Sequence, residues 1–238
     1  MDDSSPFASP AQPTATRPLL GQTILVVEDS RYACDAIRLM CLHSGARIRR
    51  ADCLTSARRH LQIYRPSVIL VDIGLPDGSG AELIAELTEA TPRIGAILAM
   101  SGDDHGQEAA LRAGADGFLA KPLKSLSYFQ QFILESLPED RRPNSLHAIR
   151  DEVIRPDPMA YRDDMAHIAD VLAGPNDSRT IDYAAQFIRG VARDAEDTVL
   201  AEAAQRLAES RASGTPMTAL AAQVAGIVQA RLEQREAI

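Results

Sequence analysis

The sequence predicts an α/β fold with a five-stranded parallel sheet, followed by a small all-α domain. Five short apolar runs alternate with five helical segments between Thr23 and Leu137. Apolar strands that alternate with helices in this way indicate a parallel sheet covered on both faces. From residue 159 onward the sequence has no strand pattern, and its one-sided apolar stripes indicate a small helical bundle.

The first strand is predicted at residues 23–27, and a helix follows at 30–44 with Ser30 as a possible N-cap. The remaining strands are predicted at 46–51, 67–71, 94–100 and 116–120. The helices that follow them are predicted at 54–64, 79–90, 103–114 and 123–137. Gly45 and Gly114 stand where glycine commonly ends a helix.

Proline and polar residues divide the chain into four regions. Residues 1–20 contain four prolines among Ser, Ala and Thr, and we expect them to form a disordered tail. The α/β domain is expected at 21–137, a polar linker at 138–158 and the helical domain at 159–238. Helices of the last region are predicted at 159–173, 179–193, 195–212 and 216–235.

The composition is that of a soluble globular protein. The net charge of the 238 residues is −8, which argues against a general nucleic-acid or anionic-membrane binder. No apolar run approaches the roughly 20 residues that span a bilayer, and the N-terminus has no signal-peptide pattern. The three cysteines match no metal-binding spacing. We therefore expect a cytoplasmic protein.

Charged and polar side chains stand at the ends of the predicted strands. Glu28 and Asp29 end the first strand, Asp72 the third, Ser101 the fourth and Lys121 the fifth. The carboxyl ends of parallel strands meet at one edge of an open α/β sheet, where ligands bind. We therefore expect these side chains to form one site.

The chemistry of that site points to phosphoryl transfer. A carboxylate such as Asp72 can attack phosphorus and form an acyl phosphate. Mg²⁺ binds one or two carboxylates together with water and phosphoryl oxygens. The candidate metal ligands are Glu28, Asp29, Asp72 and the backbone carbonyl of Gly74. Lys121 and Ser101 can contact phosphoryl oxygens.

Four stretches of the sequence resemble the receiver domain of two-component response regulators. They are residues 24–30, 71–78, 100–102 and 115–122, within a resemblance that covers about residues 22–137. The resemblance implies a flavodoxin-like fold with strand order 2-1-3-4-5. It also implies that Asp72 accepts a phosphoryl group from a histidine kinase or a histidine phosphotransfer protein in a Mg²⁺-dependent reaction.

The same resemblance implies a role for each matching residue. Glu28 and Asp29 would hold the metal, Ser101 would be the switch hydroxyl, and Lys121 the phosphate-binding lysine. Phe118 occupies the aromatic switch position, and its ring would turn inward as Ser101 moves toward the phosphoryl group. The face made by the fourth helix, fifth strand and fifth helix would change as a result.

A shorter resemblance lies in the helical domain. Residues 186–192 resemble the signature of histidine phosphotransfer domains, with Gln186 at the position of the phosphorylated histidine. Because glutamine cannot form a phosphoramidate, the resemblance implies a degenerate domain that binds or mimics without transferring. His147 and His167 precede this stretch and lack its surroundings. An alanine-rich bundle used for homodimerisation or partner binding is the other interpretation.

The leading hypothesis is a phosphorelay response regulator that signals through protein–protein contacts and has no enzymatic output. Residues 139–238 contain 12 Lys and Arg against 17 Asp and Glu, a net charge of −5 that disfavours DNA binding. The alternative is a transcriptional regulator with an unrecognised DNA-binding domain. A third alternative is an enzyme, a phosphatase or haloacid-type hydrolase that also uses an aspartate nucleophile. Such an enzyme would need a second aspartate two positions after Asp72, and Gly74 at that position disfavours it.

Overall fold

The structure is a computed structural model that describes residues 12–102, 106–142, 152–174, 178–213 and 217–234. Several sequence predictions fall partly outside these residues. They are the first part of the tail, the start of the fourth helix, the middle of the linker with His147, and the start of the last helix at 216.

Five parallel strands form the central sheet of the α/β domain. They are β1 (Thr23–Val27), β2 (Arg47–Ala51), β3 (Val68–Asp72), β4 (Ala96–Ser101) and β5 (Gly117–Ala120). Their spatial order is β2-β1-β3-β4-β5, which confirms the predicted 2-1-3-4-5 topology. All residues of β3 and β4 are buried, as expected for central strands covered on both faces.

Five helices cover the two faces of this sheet. They are α1 (Arg31–Ser44), α2 (Leu54–Ile63), α3 (Gly80–Glu89), α4 (Gly106–Arg112) and α5 (Leu126–Ser136). One apolar core joins the sheet to α1 and α5, and a second core joins its other face to α2, α3 and α4. The alternating side chains of each strand supply both cores, so the sheet lies in the middle of three layers.

Local sequence signals explain where several of these helices begin and end. The hydroxyl of Ser30 accepts from the backbone N–H of Ala33, and Ser125 accepts in the same way from Tyr128. Helix α1 ends at Gly45, whose φ of 83° lies in the left-handed region that glycine adopts without strain. A two-residue ladder between Gly74–Leu75 and Gly78–Ser79 precedes α3.

Parts of the predicted tail and linker pack against the α/β domain. Leu19 is fully buried in the core beside α1, and its backbone N–H donates to the carbonyl of Ser44. Ile154 is buried in the same core, and its neighbour Val153 forms a β-bridge with Ser125. Single apolar residues therefore anchor segments whose polar and proline-rich composition had suggested disorder or a linker.

Four helices form the second domain in the residues that the structure describes. They are α6 (Pro158–Ala173), α7 (Ser178–Asp194), α8 (Thr198–Ala212) and α9 (Thr218–Glu233). Apolar residues from all four build a third core, separate from the two cores of the sheet. No helix in the described part of the chain is long and apolar enough to cross a membrane.

Candidate functional site

Strand register brings the predicted acidic residues to one edge of the sheet. Val27 of β1 pairs with Val71 of β3, so the residues that follow them, Glu28 and Asp72, lie at neighbouring strand ends. One carboxylate oxygen from each of Glu28, Asp29 and Asp72 lies within 4.8 Å of the others. The structure therefore gathers three carboxylates that the sequence had only placed at strand ends.

Lys121 connects two of these carboxylates from the end of β5. Its Nζ lies 2.5 Å from Oε2 of Glu28 and 3.1 Å from Oδ2 of Asp72. The lysine side chain is only 7% exposed, so these ion pairs are shielded from water. Burial by itself would lower the pKa of Lys121, but the neighbouring carboxylates raise it well above its usual value. The ammonium group is therefore held charged in the site.

Burial makes the three carboxyl groups of the site unusually basic. Burial raises the pKa of Glu28 to about 7, against the opposing effect of Lys121. Burial also raises the pKa of Asp72 to about 6, again opposed by Lys121. The pKa of Asp29 is raised to about 6 by burial and by the charge of Asp72. Three carboxylates held this close repel one another and favour a cation among them.

The two predicted switch residues lie on the neighbouring strands β4 and β5. Ser101 is the last residue of β4, is 4% exposed, and lines the same small pocket as Asp72 and Lys121. Phe118 on β5 is partly buried and packs against the core that includes α4. A Cβ built on Gly106 would lie 2.9 Å from Oγ of Ser101 and 3.7 Å from Cε2 of Phe118. Glycine at the start of α4 therefore allows this close approach.

The family comparison agrees with this geometry. The family described as the response regulator receiver domain matches residues 24–131. Residues 24–131 form a response regulator receiver domain. Receiver domains of this family bind Mg²⁺ in an acidic site and interact with histidine kinases, and this receiver has the acidic cluster. The match ends before the helical domain, which it leaves uncharacterised.

Curated relatives resemble the receiver domain and not the whole chain. The KDP operon transcriptional regulatory protein KdpE of Escherichia coli is 35% identical over 101 residues, which cover 42% of this chain and 44% of KdpE. The transcriptional regulatory protein CitB of Klebsiella pneumoniae is 41% identical over 75 residues, 31% of this chain and 32% of CitB. The chain thus spans less than half the length of these two relatives.

Solved receiver structures also align with only about half of this chain. The receiver domain of sensor histidine kinase PA1611 from Pseudomonas aeruginosa PAO1 has a magnesium ion in its active site cleft. Its alignment with this chain has 28% sequence identity and a TM-score of 0.44, and it covers 48% of this chain and 96% of the PA1611 receiver chain. A two-component response regulator from Clostridium difficile is 23% identical with a TM-score of 0.46, covering 50% and 98%.

Helix α7 of the helical domain lies over the acidic site of the receiver. Gln186, Arg189 and Gly190 line the same pocket as Asp72 and Lys121. A Cβ built on Gly74 would lie 2.0 Å from Nε2 of Gln186, so the glutamine amide sits directly on that glycine. The predicted degenerate phosphotransfer position therefore faces the receiver site, although Gln186 itself lies at the exposed rim of the pocket.

A tyrosine of α7 contacts one of the acidic residues directly. The hydroxyl of Tyr183 donates a 2.8 Å hydrogen bond to Oδ2 of Asp29. The same hydroxyl lies 3.1 Å from Nε2 of His167 on α6. Burial and the charge of Asp29 raise the pKa of Tyr183, so this hydroxyl remains a donor. His167 therefore supports a contact to the site without touching the acidic cluster itself.

Helix α6 supplies a buried carboxylate to the start of α1. Asp164 is 1% exposed and accepts from Oγ of Ser30 at 2.7 Å, from the N–H of Arg31 at 2.7 Å and from the N–H of Tyr32 at 3.0 Å. Burial raises the pKa of Asp164, although these three donors oppose the increase. A carboxylate at the positive end of a helix is favourable, so Asp164 ties the two domains together.

Asp194 brings a fourth carboxyl group to the site from the last residue of α7. It lines the small pocket beside Glu28, Asp72 and Lys121, and also a larger cleft of about 870 Å³ next to α1. Among the described residues its Oδ1 is buried and accepts no hydrogen bond. Burial raises its pKa to about 6, while the charge of Lys121 opposes this.

Sequence reasoning missed Asp164, Tyr183 and Asp194 as neighbours of the site. Each belongs to the helical domain and lies far from the receiver along the chain. One feature of the sequence pointed in this direction. The resemblance of residues 186–192 to histidine phosphotransfer domains indicates that α7 could bind a receiver. Nothing in the sequence indicated that this receiver would be the one in the same chain.

Proposed function

We propose that this chain is a response regulator whose receiver accepts a phosphoryl group on Asp72 in a Mg²⁺-dependent reaction. The donor is a histidine kinase or a histidine phosphotransfer protein. The output is a protein–protein contact of the helical domain, without an enzymatic activity of its own. The observation that carries the proposal is the cluster of Glu28, Asp29 and Asp72, with Lys121 bridging two of its members.

The acidic cluster fits a magnesium ion. Mg²⁺ binds oxygen at about 2.0–2.1 Å, so two ligands on opposite sides of it are about 4.2 Å apart. Three carboxylate oxygens within 4.8 Å of one another need only small shifts to share such an ion. Glu28, Asp29, Asp72 and the carbonyl of Gly74 would hold it. When bound, the ion would neutralise charge on the cluster and on the phosphoryl oxygens.

Asp72, Lys121 and Ser101 can together carry out the transfer of the phosphoryl group. An Oδ atom of Asp72 attacks the phosphorus of a phosphohistidine, the P–N bond breaks and the imidazole leaves with the bonding electron pair. The carboxylate thereby becomes a mixed anhydride. The ammonium of Lys121 already contacts Asp72 and can pair with a phosphoryl oxygen. Ser101 lines the pocket and can contact another oxygen through its hydroxyl.

One observation favours the alternative output. The curated relatives KdpE and CitB are named transcriptional regulators, although they match only the receiver. The helical domain of this chain carries a net negative charge, which opposes binding to the phosphate backbone. A mobility shift with promoter fragments that weakens as salt increases would support DNA binding. If neither the free nor the phosphorylated chain shifts the promoter fragments, the result would support signalling through protein–protein contacts.

Substitution of the acceptor tests the proposal directly. The wild-type chain treated with acetyl phosphate and Mg²⁺ should gain the mass of one phosphoryl group, and Asp72→Asn should not. Asp52→Asn removes an exposed carboxyl group outside the cluster and should be labelled like the wild type. Labelling of Asp72→Asn that still requires Mg²⁺ would show that the acceptor is another residue.

A further inference from the structure

We propose that α7 carries a receiver-binding surface and that this surface caps the chain's own acceptor pocket. The surface consists of Gln186, Arg189, Gly190 and Arg193, which share one helix face because their spacing is three and four residues. This inference rests on the proposed function, since the capped pocket is the one that contains Asp72. In the capped chain, α7 occupies the position that a phosphodonor protein must reach.

The contacts of this surface lie on both sides of the acceptor pocket. The amide of Gln186 sits on Gly74 after β3, whereas the guanidinium of Arg193 donates to the carbonyl of Gly102 after β4. Gly190 lies between them, and a Cβ built on Gly102 would be 3.8 Å from its Cα. The helix therefore spans the loops that follow two neighbouring strands, directly above the end of β3.

Charge across this contact is partly complementary. The receiver side presents the three carboxylates of the acidic cluster. The α7 surface presents Arg189 in the pocket and Arg193 on the carbonyl of Gly102, while Asp194 at the end of the same helix adds a carboxyl group. Tyr183 adds a hydrogen-bond donor to Asp29 from the same helix. Opposite charges and directional hydrogen bonds at an interface determine orientation and partner choice. The α7 surface thus has the chemistry to recognise the acidic edge of a receiver.

The space that remains is too small for a donor. The pocket between α7 and the acidic cluster is about 30 Å³, room for about two water molecules. Asp72 is 8% exposed, so a phosphohistidine carried on another protein cannot approach its carboxylate. Because the donor and α7 need the same edge of the receiver, the helical domain must move before phosphorylation occurs. Capping and phosphoryl transfer are mutually exclusive.

A reversible crosslink tests this inference in the chain of 238 residues. Cysteines introduced by Gly102→Cys and Gly190→Cys would have Cα atoms at most about 5.3 Å apart, within the range of disulfides. Neither new Cβ would approach an atom of another described residue closer than 3.8 Å. Cys53→Ser removes the native cysteine that is not buried. Acetyl phosphate with Mg²⁺ is the phosphodonor, and the chains with a single introduced cysteine are the controls.

We expect the disulfide to form readily on mild oxidation and to slow the labelling of Asp72 at least tenfold. Reduction should restore the rate, and oxidation should leave the single-cysteine controls unchanged. Equal labelling of the oxidised and reduced chains, or failure of the disulfide to form, would overturn the inference. If the disulfide forms but no chain is labelled in either state, the capping contact stands and the proposed function fails instead.

Discussion

The hydroxyl of Tyr183 on α7 and the carboxylate of Asp29 after β1 form a hydrogen bond of 2.8 Å. This bond joins the helical domain to one of the three carboxylates of the acidic cluster. Occupancy of the cluster and the position of the helical domain are therefore physically connected, and substitutions at the contact should affect both.

Tyr183→Phe should favour the uncapped chain. The substitution removes a hydrogen bond to a carboxylate, a loss of about 1–3 kcal/mol. Since 1.4 kcal/mol corresponds to a factor of ten, the initial rate of labelling by acetyl phosphate should rise about tenfold. Tyr128→Phe, which changes a half-exposed tyrosine on α5, is the control and should leave the rate unchanged. Equal rates for the two variants would contradict a role of the Tyr183 contact in capping.

Asp164→Asn should destabilise the contact between the helical domain and α1. The amide can no longer accept from all three donors that Asp164 binds, and its NH₂ group faces one of them. We expect the free energy of unfolding in urea to fall by about 2 kcal/mol. Asp163→Asn breaks an exposed ion pair with Arg31 and should cost less than about 1 kcal/mol. A similar loss for both variants would show that burial of Asp164 is unimportant.

Gly74→Ala should push Gln186 away from the receiver. The new methyl group would overlap the glutamine amide, and the exposed position of Gln186 allows the side chain to move at a cost of about 1 kcal/mol. Labelling of Asp72 should become about fivefold faster. In a chain that already carries Gln186→Ala, the same substitution should have no effect, because no amide is present to displace. A double-mutant cycle measures this coupling, and additive effects would rule it out.

The stability of the capped chain should depend on pH through Asp194. Its pKa rises from the usual 3.8 to about 6 on burial, so the capped chain binds more protons than the unfolded chain between these values. Stability from this group is therefore greatest below about pH 4 and declines as the pH rises through about 6. Asp194→Asn should remove this contribution and make the total decline smaller, while the raised pKa values of Glu28, Asp29 and Asp72 act in both chains. Urea unfolding of both chains at pH 4.5, 5.5, 6.5 and 7.5 measures the difference, and parallel profiles would contradict it.

Much of the α/β domain follows from periodicity and from the rules of parallel sheets. Asp72 and Lys121 could be placed at one edge from the sequence alone, because parallel strands end together and the chain alternates regularly. Helix α7 was predicted at 179–193 and extends over Ser178–Asp194, since its apolar face repeats at helical spacing. These features depend on local sequence and on topology alone.

The contact between the domains could not be predicted in the same way. Periodicity shows that α6 and α7 each bury an apolar face, but not which surface their polar residues meet. Asp164 and Tyr183 have the pattern of ordinary polar positions in a helix, and only tertiary structure brings them to Ser30 and Asp29. The burial of Leu19 was hard to predict because prolines surround it in the sequence. The two adjacent leucines, Leu19 and Leu20, shortly before β1 were a weak indication of burial.

The burial of Leu19 and Ile154 affects how the receiver can be produced in isolation. A fragment cut at residues 21 and 137 would lack both side chains, which fill the same core beside α1. Losing a large aliphatic group from a core typically costs about 2–5 kcal/mol, a sizeable part of the stability of a small domain. Such a truncated fragment would expose apolar surface and aggregate easily, so expression boundaries should retain both flanking segments.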